Sequence, residues 1–454
     1  MFDDNVPLEP FWVGRLPLFL QKKIKGRYNL QKIISNMSWL FLDKVLRMGV
    51  GFVVGVWVAR YLGPEQFGII NYSAAFVGIF GSIATLGLDN IVIREIVRQP
   101  DEKYSLVGTA FLLKLFASAV SFLLSVLAIH FFKSDKLVKI TVVIIAAGMI
   151  FQSFDVIRFW FESQVKSKYV VIAQNAAFLI AAVIKIILLI SRASLMAFVW
   201  TMLAEVLLGA IGVIFYYKFT GEQFLKWKFR VTVAKALLRD SWPLMFSGLA
   251  IFVYMRISQV MLGSLLNERE VGIYSSVLRI SELWYFIPTI VLISVYPKLI
   301  NLYNENEDLY AEKLINIMRL FFWFSLTISI FVLIFSETII SILYGKEYLA
   351  AAPVLSIHIF SGIIVSMSII FSHRFILKNQ QKISLYGTIF GCVVSIVLNF
   401  LLIPRYASSG AAVAVLIAYI SPLIFVSIFF DKTVGTIFLK SVFNLNLNLN
   451  RKNN

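Results

Sequence analysis

Charged side chains are scarce in this chain. Asp, Glu, Lys and Arg make up 15% of it against 59% hydrophobic residues, too few to clothe a water-soluble domain of this size. Cysteine is rarer still: Cys392 stands alone in an apolar run, which excludes an intrachain disulfide and carries no information on the redox compartment. The three histidines, His130, His358 and His373, are scattered and lack carboxylates at ligand spacing, so no metal site is expected. Also missing are a Walker-type phosphate loop, an HExxH zinc signature and any polar domain that could hold an ATPase. These absences exclude ATP-driven work by this chain alone and leave neither a catalytic constellation nor a cofactor to expect. Acids are the minority charge, 25 against 42 Lys and Arg, for a formal net charge of +17. That excess does not imply nucleic acid, because the basic residues sit between apolar runs, as the positive-inside rule expects.

What is present is a series of apolar runs of about 20 residues, the length that crosses a bilayer. They predict spans at 37–60, 68–88, 105–130, 138–160, 169–190, 194–216, 241–263, 271–296, 314–335, 352–374, 383–403 and 408–430. The fold class is therefore an all-α polytopic membrane protein of about twelve transmembrane helices. The longest internal polar connection, 217–240, carries Lys218, Lys226, Lys228, Arg230, Lys235 and Arg239 and divides the spans into an N-terminal six-helix lobe, 37–216, and a C-terminal six-helix lobe, 241–430. Most basic residues fall in the two tails and the even-numbered connections, which predicts that both termini, the inter-lobe linker and the tail 431–454 are cytoplasmic. Phe11 to Leu20 is too short and too interrupted, by Arg15 and Pro17, for a signal peptide, so 1–36 reads as a basic segment along the membrane surface.

A weak internal repeat agrees with two lobes. Shifting the chain by 204 residues lays span 1 on span 7, Gly68-Ile69 on Gly272-Ile273 and Glu65-Gln66 on Arg269-Glu270. Six helices begin and end on one side, so such a duplicate is a parallel repeat about an axis along the membrane normal. Gly51 and Gly55 form a GxxxG that suits either ordinary helix packing or a moving contact. Pro288 and Pro422 are hinge candidates.

Lys44, Arg47, Lys114, Arg256 and Arg279 lie well inside apolar runs. A basic group at mid-membrane costs roughly 2.5–3.5 kcal/mol on insertion scales, so each is a functional-site candidate, and together they suggest a water-accessible cavity that attracts anions. Asp43, four residues before Arg47, can pair with it; Lys44 either snorkels or joins the cavity. Arg256 has no acid nearby in sequence, whereas Arg279 has Glu282 three residues on and either pairs with it or meets ligand. Lys185 and Arg319 lie near span ends and read as snorkelling. Glu205 is the deepest acid of the first half, either a proton-exchanging carboxylate for ion coupling or a fixed partner of Lys114 or Arg47. Asp89, Asp155 and Arg158 read as interfacial.

Ala59-Arg60-Tyr61-Leu62-Gly63-Pro64-Glu65-Gln66-Phe67-Gly68, then Leu86-Gly87-Leu88-Asp89 and Arg94-Glu95, resembles the opening of polysaccharide-type flippases, including O-antigen flippases, of the multidrug/oligosaccharidyl-lipid/polysaccharide exporter superfamily. Leu343 to Tyr348, Asn399, and Ile403-Pro404-Arg405-Tyr406 to Gly410-Ala411-Ala412 agree with that family's patterns. The resemblance implies two lobes that rock about a cationic cavity in a bacterial cytoplasmic membrane and turn an undecaprenyl-pyrophosphate-linked oligosaccharide, an O-antigen or related repeat unit, from one leaflet to the other. It further implies coupling to H+ or Na+ and, as protein partners, a polysaccharide polymerase and a chain-length regulator. It fixes no individual cavity residue. The alternatives are a cation-coupled multidrug exporter of the same superfamily, which would favour acids over the deep cations seen here, and a membrane polymerase or glycosyltransferase, which would need a larger outer loop than 336–351.

Overall fold

The computed structural model describes residues 28–378 and 380–443. Residues 1–27 of the basic N-terminal segment and 444–454 of the tail lie outside them. Every regular element among the described residues is helical. In chain order these are α1 (Tyr28–Ala84), α2 (Asp89–Arg98), α3 (Lys103–Phe132), α4 (Lys136–Phe151), α5 (Val156–Ser163), α6 (Ser167–Ile190), α7 (Leu195–Phe219), α8 (Val231–Leu265), α9 (Glu268–Ser281), α10 (Phe286–Glu305), α11 (Glu307–Tyr344), α12 (Ala351–His358), α13 (Ser361–Leu377), α14 (Gln381–Phe429) and α15 (Lys432–Phe443).

Nine helical segments among the described residues are long and apolar enough to cross a membrane. Two of them are hairpins. In α1, Gly63 adopts φ 70° and ψ 171°, a conformation open to glycine, and Pro64 starts the returning arm. Phe52 and Asn71 line one cavity, although 19 residues of straight helix would hold them about 28 Å apart. In α14 the turn is at Ala407, φ 45° and ψ −133°, and Tyr386 stacks on Phe430 across it. The predicted span 271–296 is broken instead: α9 stops at Ser281, residues 282–285 are non-helical, and α10 starts two residues before Pro288 and packs on α11 and α13. Pro422 sits inside α14 without a break of its own.

The helices are inside out relative to a soluble bundle. On α3, Phe116, Leu123, Leu127 and Phe131 are exposed while Ser118, Ser121 and Ser125 are buried. Without water outside, association depends on close packing, which small side chains permit. The buried Ser325 and Ser329 of α11 are the same positions 204 residues on, so the repeat extends to this stripe.

Three apolar cores show how the lobes meet. One contains residues of both lobes, among them Ala59, Tyr72, Ile129, Val199, Val271, Tyr348 and Ala411. The second lies in the first lobe and the start of α8, around Leu88, Phe159 and Tyr217; the third lies in the second lobe, around Leu299, Met318 and Phe371. The bundle is joined at one end and forked at the other.

The joined end gathers the odd-numbered connections. Lys133 Nζ donates to Glu268 Oε1 at 2.6 Å, Tyr348 Oη to the Ala59 carbonyl at 2.9 Å, and Tyr72 Oη lies 3.2 Å from Ser264 Oγ. At its centre a Cβ on Gly68 would run into the Glu268 carbonyl, and a Cβ on Gly272 into the Pro64 carbonyl. Because 68 and 272, like 64 and 268, are 204 apart, the contact is reciprocal, as a two-fold-related interface requires.

The inter-lobe connection is shorter than 217–240, because α8 begins at Val231. It docks on the first lobe through Trp227 Nε1 to Tyr217 Oη, 3.0 Å, and Arg230 to Glu102, 2.6 Å. The described part of the C-terminal segment is a helix, α15, with Val434, Ile437 and Ser441 buried. Arg374, buried in α13, fastens it by donating to Asp431 Oδ2 at 3.0 Å and Thr433 Oγ1 at 2.7 Å. Burial opposes the charge on Asp431, but the Thr433 hydroxyl, Arg374 and the Thr433 amide outweigh it and hold the carboxyl below its usual range.

Candidate anion-binding cavity

Where the lobes fork, a cavity of about 430 Å³ is lined by both arms of α1, by α8 and by α9 with the break that follows it. Arg47 reaches it from the first lobe, Arg256 and Arg279 from the second, with Glu282 as the one carboxylate among the described lining residues. Asn71, Gln259 and Ser275 add neutral polar groups.

Each arginine is held differently. Arg47 Nε donates to Asp43 Oδ1 at 2.7 Å and lies 5.3 Å from the Phe178 ring centroid; the i, i+4 spacing delivers that pair. Arg256 meets Glu282 fork to fork, Nη1 to Oε1 at 3.1 Å and Nη2 to Oε2 at 2.8 Å, the geometry that makes Arg–carboxylate pairs strong. Glu282 keeps helical dihedrals at the C-cap of α9, its N–H still donating to the Leu278 carbonyl at 2.9 Å, and its side chain reaches across to α8. The sequence left Arg279 either paired with Glu282 or free to meet ligand and found no nearby acid for Arg256; the structure gives Glu282 to Arg256, 26 residues away. Arg279 has no carboxylate within 4 Å among the described residues. It lies 5.1 Å from the Phe67 ring centroid, and its guanidinium fills the space a Cβ on Gly55 would need. Gly55 thus serves a contact between lobes, while Gly51 meets Phe178.

The other candidates lie elsewhere. Lys114 is buried in the first lobe, 3.9 Å from Asp155 and 5.0 Å from the Phe159 ring centroid, and does not line the cavity. Lys44 is exposed and outside the lining. Glu205 lines an adjoining space of about 240 Å³ with Arg47, Gln152, Asp155 and Gln174, and Lys185 donates to it at 3.1 Å. Lys185 therefore pairs inward, replacing both the snorkelling reading of Lys185 and the expected partners of Glu205. Arg319 donates to the Lys440 carbonyl at 3.1 Å, which ties it to α15. Arg158 bridges Asp89 at 3.0 Å and Glu162 at 3.5 Å, a cluster within the first lobe.

A further space of about 420 Å³, lined by Gly78, Gly81 and Met202, shares Ala74 and Phe252 with the arginine cavity and Gln152 with the Glu205 space. The three are neighbouring spaces with shared walls, the lining cationic on the α8–α9 side and mixed in charge on the first-lobe side. Among the described residues no group of His, Cys, Asp and Glu has metal-binding geometry. Such a lining can hold a compact anion with several guanidinium donors, beside polar side chains suited to hydroxyl-rich matter.

The family described as "Polysaccharide biosynthesis protein" matches residues 33–302, and the MatE family matches residues 243–401. The chain is 24% identical over 195 residues to a probable low-salt glycan biosynthesis flippase, Agl15, of Haloferax volcanii; that match covers 41% of this chain and 40% of the relative. It is 21% identical over 401 residues to the capsular polysaccharide biosynthesis protein CapF of Staphylococcus aureus, covering 86% and 98%. Among solved structures, lipid II flippase MurJ in an inward closed conformation has a similar fold, TM-score 0.68 at 15% identity, covering 90% of each chain. An inward-facing multidrug resistance MATE transporter of the MOP superfamily gives TM-score 0.67 at 13% identity, covering 90% of this chain and all of that one.

Proposed function

The chain belongs to the polysaccharide biosynthesis protein family, and from that premise we propose that it is a flippase carrying a lipid-linked oligosaccharide across a membrane. The observation that carries the reading is the set of three arginines, drawn from both lobes, around one chamber at the fork. The diphosphate of an undecaprenyl-diphosphate-linked repeat unit is a compact dianion, and guanidinium forks in a chamber of low dielectric bind such a group strongly. The sugars would lie toward Gln152, Gln174 and Asn71, and the polyprenyl tail in the surrounding lipid. Two relatives named for glycan or capsule biosynthesis support this cargo class.

In this reading the joined end faces outward and the forked end faces the cytoplasm, as the basic residues of the even-numbered connections favour. Transport alternates which end is closed. Undoing the Gly68–Gly272 seam and the Lys133–Glu268 pair would open the far side, and closing the fork would seal the near one. Glu205, in the neighbouring space that shares Arg47 with the arginine cavity, is the candidate for coupling to H+ or Na+. A drug exporter for cationic compounds fits less well, because the lining offers three arginines against one carboxylate.

The test is deletion and complementation in the organism's polysaccharide pathway, scoring surface polymer and the completed lipid-linked units left in the inner leaflet. Loss of polymer with accumulation of those units supports flipping. Arg256→Ala should fail to restore display at normal protein level; normal display would remove Arg256 from the cargo site, and an unaffected deletion strain would refute the reading.

A further inference from the structure

The first-lobe space beside the arginine cavity is lined by hydrogen-bonding groups that the protein itself leaves unspent. Asp155 stands at the N-cap of α5 without a side-chain cap bond, and its side chain is 38% exposed. Lys114 stops 3.9 Å from it, beyond hydrogen-bond reach, and Arg158 bonds to Asp89 and Glu162 instead. Lys185 takes Glu205 Oε2 at 3.1 Å and leaves Oε1 without a partner among the described residues. The carboxamides of Gln152 and Gln174 also have none among the described residues. These four side chains surround about 240 Å³ together with Arg47, which lines the arginine cavity as well.

We infer that this space is the subsite for the sugar bonded directly to the diphosphate, and that it accepts a neutral, hydroxyl-rich ring and rejects a uronic acid. This rests on the arginine cavity being the cargo site. Arg47 stands between the two spaces, so a diphosphate held by the arginines has its covalent neighbour here. Two carboxylates and two carboxamides offer an excess of acceptors, and a hexose brings several hydroxyl donors. Hydrogen bonds to ionised acceptors are the stronger kind. A uronic acid would carry negative charge into the same wall. Lys114 and Lys185 are not among the described lining residues, so they balance the carboxylates from behind and present nothing to a ligand. Arg47, the one cation among the described lining residues, already has Asp43. A sugar carboxylate would lose its water only to meet two like charges, which excludes the wrong ligand as effectively as good contacts favour the right one.

The experiment uses the purified full-length chain in detergent and three citronellyl diphosphate diesters, whose second ester is methyl, glucosyl or glucuronosyl. The wild-type chain should bind the glucose ester about tenfold more tightly than the other two. Attraction to the arginines alone would favour the extra charge of the glucuronate, the opposite order. Asp155→Asn removes the charge and keeps an acceptor, so the preference for glucose over glucuronate should shrink to about threefold or less, with methyl-ester binding unchanged within about twofold. Gln174→Leu should weaken both sugar esters and spare the methyl ester. A wild-type chain that binds all three alike overturns the inference while the cavity reading stands, and so does an undiminished glucose preference in Asp155→Asn. Loss of the methyl ester in Asp155→Asn would make Asp155 part of the arginine cavity's frame and also overturn it. If the wild type binds none of the three, the cavity reading falls and the inference with it.

Discussion

Replacing Gly68 by Ala should open the joined end. The added methyl points at the Glu268 carbonyl, at the start of a helix in the opposite lobe. A backbone carbonyl there cannot rotate away as a long side chain could, so either the lobes separate or the seam is strained. Overpacking of this kind costs about 1–3 kcal/mol, and the rigidity of both sides argues for about 2–3. At 1.4 kcal/mol per factor of ten, the equilibrium moves toward the open seam by about 30- to 150-fold. The natural chain has one cysteine, Cys392, so Cys392→Ser gives a clean background. Ala75→Cys then places a reporter in the arginine cavity, at a position 4% exposed in the closed state. A membrane-impermeant maleimide applied from the sealed side should label it faster in Gly68→Ala by that factor. Gly272→Ala should do the same, because its methyl meets the Pro64 carbonyl. Both act on one seam, so the double variant should add little to either single one. Unchanged labelling in a folded Gly68→Ala protein would refute the view that this contact seals the chamber, and fully additive effects would refute the view that it is a single seam.

The seam's ion pair should behave as a latch: Lys133→Glu or Glu268→Lys alone should raise the same labelling about fivefold, since a partly exposed pair contributes about 1 kcal/mol, and the charge-swapped double variant should restore it. At the other end, Asp431 has a carboxyl held below its usual range. Its contribution to docking α15 is therefore complete above the unfolded-state value and lost as the pH falls through the lower folded-state one. Hydrogen exchange of 432–443 should stay slow from pH 7 to about 5 and quicken below about 4, whereas Asp431→Asn should show no such step. Glu205→Gln should make vesicle transport of lipid-linked cargo less dependent on an ion gradient; equal dependence would leave Glu205 as the structural partner of Lys185 alone.

The all-helical, membrane-spanning character was legible because a bilayer demands long apolar runs, though the run 271–296 proved to be two helices, and the deep arginines stood out because hydrocarbon penalises charge. Arg47, Arg256 and Arg279 converge on one chamber, but their partners were not legible. Glu282 stands one turn from Arg279 at the end of α9 yet pairs with Arg256 on α8, and no spacing argument within one helix can find a partner on another. Lys114 looked like Arg47 in sequence, yet it lines neither the arginine cavity nor the Glu205 space and only approaches Asp155 in the wall of the latter, because depth along a helix does not reveal which face points inward. The shift by 204 did pair Gly68 with Gly272. That the two meet each other, and do not merely occupy equivalent places, appears only when the lobes are set side by side.

The helix break itself has a consequence for how the molecule sits among lipids. Residues 78–81, the positions matching 282–285 in the repeat, continue helically within α1. There the returning arm of α1 stays against α8 along its length, with Tyr72 against Gly263, Phe252 against Gly78, and Gly87 against Ser241 to Met245. On the other flank α9 follows α1 only as far as the break, after which α10 departs toward α11 and α13. Two identical halves would give a doorway on each flank. Here one flank stays packed along its length while the other loses its contact past the break, so the duplicated chain has a front and a back toward the surrounding lipid.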